Sequence, residues 1–267
     1  MDKKKCAIIK WFFILLVVMA FFGNNSSSIG QQSNYSSKIN RNIIDKAVKD
    51  NAKYSMIPPI DMTTPSIYKT ASFGLGWFWG IESRFGILEG VIRTRVGYAG
   101  GRTDSPSYSN LGNHTETVQI DYNPEIITYS QLLNIFWDSH QPTKQSRSQQ
   151  YKNVVFFHNK NQHLQAMESK MELDGKIKKT VKTGIMPLGS FTMAEDYHQK
   201  YYLKNHALKK EIMRIYPLHN DFVDSTAAAR LNGYIGRNGS REQLSREIES
   251  FGLSDAGKRL LIKSVPK

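Results

Sequence analysis

The period of the hydrophobic pattern changes several times along the chain. Lys69–Gly74 reads as a short strand, and Gly74-Leu75-Gly76 as a sharp turn. From about residue 77 to 87, Phe78, Ile81, Phe85 and Leu88 recur at helical spacing, with Glu82 and Arg84 off that stripe and Gly90 as a stop. Val91–Tyr98 alternates: Ile92, Thr94, Val96 and Tyr98 share one face, and Arg93, Arg95 and Gly97 the other. Gly100-Gly101 turns the chain, and Thr115–Tyr122 alternates again before Asn123-Pro124. Thr128 and Gln131 form a capping box ahead of a helix carrying Leu132, Leu133, Phe136 and Trp137. A strand at Asn153–His158, a helix at Asn161–Leu173, a strand within 180–186 and one long helix at Ala194–Ile215 follow. Residues 216–267 read as a helical extension punctuated by Gly233, Gly236 and Gly239. This order of elements predicts a mixed α/β or α+β domain rather than a helix bundle.

The amino end has a different character. Lys3, Lys4 and Lys5 precede an apolar run from Trp11 to Phe22, which is shorter than the ~20 residues a spanning helix needs. Residues 1–30 therefore read as a secretory signal peptide, or as a signal anchor held by residues 7–22. The expected location is the secretory pathway or the cell exterior, with membrane contact only through this segment. Residues 31–65 read as a flexible linker rich in Ser and Asn. Glycosylation acceptor patterns start at Asn24, Asn25, Asn34, Asn113 and Asn238, a pattern that chance readily supplies. The folded body is expected over 66–215.

Composition narrows the chemistry. The chain carries a formal net charge of +13; loss of residues 1–30 removes Lys3, Lys4, Lys5 and Lys10 against Asp2 and leaves +10. A basic balance of this kind admits an anionic-surface role, but the lysines are scattered and the signal segment argues against a nucleic-acid partner. Cys6 is the one cysteine, so neither a disulfide framework nor a Cys-rich metal site is expected. The histidines show no metal-ligand spacing. Asp196 and His198 are expected to cap or decorate a helix N-terminus.

Two features carry candidate chemistry. The first is Gly76-Trp77-Phe78-Trp79-Gly80, a Gly-rich turn entering a helix. Such a turn aims backbone N–H groups and the positive dipole end at whatever sits there, and favours a thiolate or an oxyanion. The plain alternative is that Phe78 only opens the core stripe. The second is Glu116, which shares a face with His114, Val118 and Ile120. If Val118 and Ile120 face the core, Glu116 is a carboxyl on the apolar side, able to hold a proton near neutrality. The alternative places it at a sheet edge, paired with Arg93 or Arg95. Tyr98 and Tyr151 are possible hydroxyl donors at strand ends, or packing residues.

These segments resemble the A-class peptide methionine sulfoxide reductases. Residues Ala71 to Gly80 are similar to the family's GCFWG region. Arg95 to Gly101, Asn113 to Glu116, Tyr122-Asn123-Pro124, Gln150-Tyr151 and Ala194 to Gln199 match its other motifs in order and spacing, over about residues 66–205. The resemblance implies a ferredoxin-like βαβ core and reduction of methionine S-sulfoxide in proteins or peptides. It implies a nucleophile at position 77, a methyl-holding wall at Phe78 and Trp79, a proton from Glu116, and help from the hydroxyls of Tyr98 and Tyr151. No bound cofactor is implied. The oxidised nucleophile is recycled by an external thiol reductant, thioredoxin-like or glutathione-type, and a monomer is expected.

The sequence departs from the family pattern twice. Position 77 holds Trp, and an indole neither attacks sulfur nor forms a sulfenic acid. The family's GNDxGTQY loop is replaced by Ser146-Arg147-Ser148-Gln149-Gln150-Tyr151, which lacks the Asp. Some members of the family use selenocysteine, encoded by UGA, one base from the Trp codon UGG. Trp77 therefore reads as a translated stand-in for selenocysteine, or as a one-base change from a Cys codon. The competing reading is an inactive homologue that binds methionine sulfoxide or a protein partner, with Trp77 filling the pocket.

Overall fold

The computed structural model describes residues 57–266. The expected signal segment, and the linker up to residue 56, lie outside the described residues. Among the described residues no helix is long and apolar enough to cross a membrane.

The body begins with a helical turn, α1 (Pro59–Met62), followed by β1 (Lys69–Gly74), α2 (Phe78–Gly86), β2 (Val91–Ala99), β3 (Thr115–Tyr122), α3 (Tyr129–Asp138) and β4 (Val154–Phe157). Next come α4 (Lys160–Ile177), β5 (Gly184–Pro187) and β6 (Phe191–Met193). Six short helices close the described chain: α5 (Tyr201–Lys204), α6 (Lys209–Ile215), α7 (His219–Val223), α8 (Thr226–Ile235), α9 (Arg241–Glu247) and α10 (Asp255–Ser264). The strands form one sheet in the order β5-β4-β1-β3-β2-β6. Its central four, β4-β1-β3-β2, are mutually antiparallel. With α2 and α3 as crossovers, that is the ferredoxin-like βαββαβ core expected from the resemblance. β5 adds in parallel to β4 and β6 antiparallel to β2.

One face of the sheet meets α2, α3 and α4. Phe73, Val118 and Ile120 from the strands pack with Phe85, Leu132 and Phe136 from the helices, and none of the six is exposed. The Phe73 ring stacks on Phe85 and Phe136 at centroid distances of 5.3 and 5.0 Å; each such pair contributes about 1 kcal/mol beyond its buried area. The capping box of α3 is complete, with Thr128 and Gln131 each bonded to the other's backbone N–H. A second core joins the C-terminal helices, centred on Leu208, Ile212, Phe222, Leu231, Tyr234 and Leu261.

Three readings are corrected. The single helix expected over Ala194–Ile215 is instead a coil, α5, a break at 205–208, and α6. Gln199 causes much of this: its amide bonds both backbone groups of Val96, at 3.0 and 2.8 Å, and so covers the edge of β2. Lys200 then takes φ +52°, which an α-helix does not accommodate. Glu82, off the hydrophobic stripe of α2, is fully buried. Gly233 does not punctuate the extension but lies inside α8, where a Cβ would come within 2.8 Å of the Ile87 backbone. The glycine marks a close helix crossing, not a helix end. The expected strand within 180–186 is shifted to Gly184–Pro187.

Candidate active site

The site forms where β1 hands over to α2. Gly76 turns the chain with φ +63°, a conformation glycine adopts without steric cost. Trp77 follows as the N-cap of α2 in extended geometry, and its side chain is 66% exposed. Position 77 thus projects from the helix start into solvent, while the next residue, Phe78, is buried.

The register of the sheet brings Glu116 to this corner. β2 and β3 pair so that Tyr98 faces Glu116 and Val96 faces Val118. Glu116 lies on the apolar side and is 2% exposed. Its Oε2 accepts the backbone N–H of Phe78 at 3.0 Å, and its Oε1 accepts the Gln150 amide at 2.7 Å. Burial pushes its pKa above the usual carboxylate range, against the pull of these two hydrogen bonds. The alternative of a pair with Arg93 or Arg95 is excluded. Both arginines bond Asp121, each at 2.7 Å, and Arg95 also reaches Asp224 at 3.0 Å.

Aromatic rings wall the corner. Trp77 lies 6.4 Å from Trp79 and 6.4 Å from Tyr151, centroid to centroid. The Trp79 indole N–H donates to His198 Nδ1 at 3.0 Å, and its ring stacks on Tyr201 at 3.9 Å and 8°. Accepting at Nδ1 fixes His198 as the neutral Nε2–H form, in line with a pKa lowered by burial. His198 also packs against Phe78 and Tyr108 at 5.0 and 4.6 Å.

Tyr98 sits beside Phe78, with centroids 6.1 Å apart. Its hydroxyl donates to Glu195 Oε2 at 2.7 Å, and Glu195 Oε1 accepts the backbone N–H of Tyr108 at 2.9 Å. Burial first, then the Glu195 bond, raises the Tyr98 pKa. The Tyr151 pKa is also raised, by burial first and then by the nearby Glu116 charge.

All six residues singled out from the sequence therefore converge here, although the Tyr98 hydroxyl is turned to Glu195. Gln150, Glu195, His198 and Tyr201 complete the site, and none of them was expected in it. The first three fall inside segments that carry the family resemblance, so a signal for them was present. Asp196 and His198 do not cap a helix. His198 is buried against Trp79, and Asp196 bonds His219 Nε2 at 2.9 Å. The interior around Phe78 attracts the imidazole ring more strongly than an exposed helix start does.

The family model for peptide methionine sulfoxide reductase matches residues 69–231. The chain is similar to a peptide methionine sulfoxide reductase of Drosophila melanogaster, with 39% identity over 193 residues, covering 69% of this chain and 75% of that one. It is also similar to an enzyme of that name, MsrA, from Methanothermobacter thermautotrophicus. The identity there is 39% over 161 residues, covering 56% of this chain and 95% of that one. Among solved structures, the reduced form of Mxr1 from Saccharomyces cerevisiae superposes with a TM-score of 0.50. Its identity is 30%, covering 53% of this chain and 88% of that one.

Proposed function

The chain belongs to the peptide methionine sulfoxide reductase family, and we propose that it reduces methionine S-sulfoxide to methionine, with selenium as the nucleophile at position 77. The observation that carries this reading is the intact surround of position 77. A protonatable carboxyl is tied to the first N–H of α2, and an indole beside it is fixed by His198 and Tyr201. An indole at 77 supplies no lone pair for attack at sulfur, so every neighbour is set for a reaction that the residue as written cannot begin. A UGA codon translated as Trp accounts for this.

The selenolate is favoured at the N-terminus of α2, where the dipole stabilises negative charge. Its lone pair attacks the sulfoxide sulfur while Glu116 passes its proton to the sulfoxide oxygen. The S–O bond breaks, the Se–O bond forms, methionine leaves and a selenenic acid remains. An external thiol condenses with it, releasing water, and a second thiol restores the selenol and leaves as disulfide. Phe78 and Trp79 hold the substrate methyl group, and Tyr151 supports the oxygen. With Cys6 the only cysteine of the chain, both thiols come from outside, from a thioredoxin-like dithiol or a glutathione-type monothiol. From the amino-terminal segment we infer that this repair belongs to the secretory pathway or the cell exterior, or to a membrane surface if residues 7–22 act as an anchor.

Two measurements test the reading. Codon 77 and the mass of the peptide spanning it are expected to reveal UGA and selenium. Turnover of a methionine sulfoxide peptide with dithiothreitol is expected for the selenoprotein and, at a lower rate, for Trp77→Cys. A genuine UGG codon with an indole mass removes the selenium nucleophile. A Trp77→Cys chain that folds without turnover removes the reductase site.

A further inference from the structure

We propose that the exposed face of α4, with the lysines gathered at its ends, docks on an anionic lipid bilayer. α4 runs 18 residues from Lys160 to Ile177, about 27 Å at the usual helical rise. Leu164, Met167 and Met171 stand at i, i+3 and i+7, which is one line on a helix, and they are between 40 and 68% exposed. Met186 is exposed as well, on β5, whose start the Lys170 ammonium ties to α4 through the Thr183 carbonyl.

Cations frame this apolar row. Lys160 stands one turn ahead of Leu164, and Lys176, Lys178, Lys179 and Lys182 cluster beyond Met171, all of them exposed. Lys144 joins them from the loop after α3. There the Lys182 N–H donates to the Pro142 carbonyl at 2.8 Å, and the Gln145 amide donates to the Lys182 carbonyl at 3.3 Å. None of these six lysines forms an ion pair among the described residues. Glu168 and Glu172 lie along one flank of the row only, and Asp174 is committed to the Val181 N–H. The helix dipole favours a cation in the last turn, which accounts for Lys176 but not for Lys144 or Lys182. Lys178 takes φ +50°, where glycine is less costly, so helix termination does not select it. Apolar side chains framed by lysines suit an interfacial helix: leucine and the thioethers enter the headgroup layer, and the lysine stems reach its phosphate and carboxylate groups. Each lysine near an anionic surface is worth about fivefold in affinity. An anchor at residues 7–22, one of the two readings of the amino end, would keep this face near a bilayer and raise its effective concentration there.

The full chain tests this with Cys6→Ala and a polarity-sensitive dye on Gly175→Cys, an exposed position of α4 where a Cβ meets nothing within 4 Å. Leu218→Cys, 61% exposed just ahead of α7, carries the control dye. On vesicles of phosphatidylserine and phosphatidylcholine the α4 dye is expected to shift to the blue while the control dye stays. Pure phosphatidylcholine is expected to give no shift, and about 0.5 M salt to remove it. At the lipid concentration that gives half the full shift, the triple change Lys178→Gln, Lys179→Gln and Lys182→Gln is expected to leave less than about a tenth of it, with the melting point unchanged. Met167→Gln with Met171→Gln keeps the charge and is expected to leave about a fifth. No shift at position 175 overturns the proposal, as do equal shifts at both positions, which would be adsorption through the amino end or through the +13 charge at large. So does a shift unchanged by the lysine variant. Binding of a soluble sulfated polysaccharide, lost in the lysine variant, with no shift on vesicles assigns the lysines to a glycan and overturns the lipid.

Discussion

Glu82 and Glu116 both touch α2, and both are withdrawn from water, at 0% and 2% exposure. They differ in what faces them. Glu82 meets a cation: Lys200 Nζ lies 2.9 Å from its Oε1, and the Lys200 backbone N–H donates to its Oε2 at 2.7 Å. The same ammonium donates to the Thr94 and Val223 carbonyls. One ion pair thereby ties α2, β2 and the C-terminal helices together. Burial draws the Lys200 pKa down, opposed by Glu82 at its side. Glu116 meets only neutral donors, the Phe78 N–H and the Gln150 amide. A buried carboxylate facing a cation depends on that partner, because removing it leaves a charge buried and unpaired. One with neutral donors is inclined to take a proton, and can give it away.

Breaking the ion pair has the largest expected effect. Lys200→Met leaves Glu82 buried and unpaired, and stability is expected to fall by about 3–5 kcal/mol. In a thermal melt that is roughly 10 °C for a body of this size. The double change with Glu82→Gln is expected to restore much of the loss; if it restores none, the cation is not what Glu82 requires. Glu116→Gln is the converse. It keeps the shape and leaves the melting point nearly unchanged, while turnover of the active chain falls about a hundredfold or more. A variant that melts early but turns over normally would reverse the roles of the two glutamates.

A smaller effect is expected next to the site, where His198→Ala frees the Trp79 indole. The loss of one buried hydrogen bond is expected to lower kcat/KM about tenfold, mainly through KM. The smallest effect is in pH dependence. Since Glu116 must arrive protonated, kcat/KM is expected to fall as pH rises through its elevated pKa, and Glu116→Gln should lose that limb. Folding raises this pKa, so the folded state holds the proton more tightly than the unfolded chain. The resulting stability is complete below the ordinary glutamate range and disappears as pH climbs through the raised value. Gln150→Ala removes a bond that favours the charged form, so the limb is expected to move to higher pH. A shift to lower pH would show that the amide does not act on Glu116.

Much of the site was legible because it is local or periodic. The turn at Gly76, the aromatic pair at 78 and 79, and the side of the strand on which Glu116 falls are all fixed by near neighbours in sequence. Gln150 and His198 were less legible as individuals. Each acts through a partner far away in the chain, 34 residues for Gln150 to Glu116 and 119 for Trp79 to His198. The burial of Glu82 was not legible, because stripe periodicity ranks residues by hydrophobicity, and a charge buried beside a cation breaks that ranking. Ala194–Ile215 was misread because apolar spacing does not record that Gln199 is drawn to the edge of β2.

The sequence by itself determined the order of β1 to β4 with the helices between them, the apolar side of those elements, and the residue types nearest position 77. Short-range sterics and the 2.0 and 3.6 periods suffice for those. Only the tertiary structure decided which glutamate is matched by a charge and which is not, and that Gly233 lies at a helix crossing. Those depend on groups brought together from distant parts of the chain, and the cost of burying a polar atom is set by what stands opposite it.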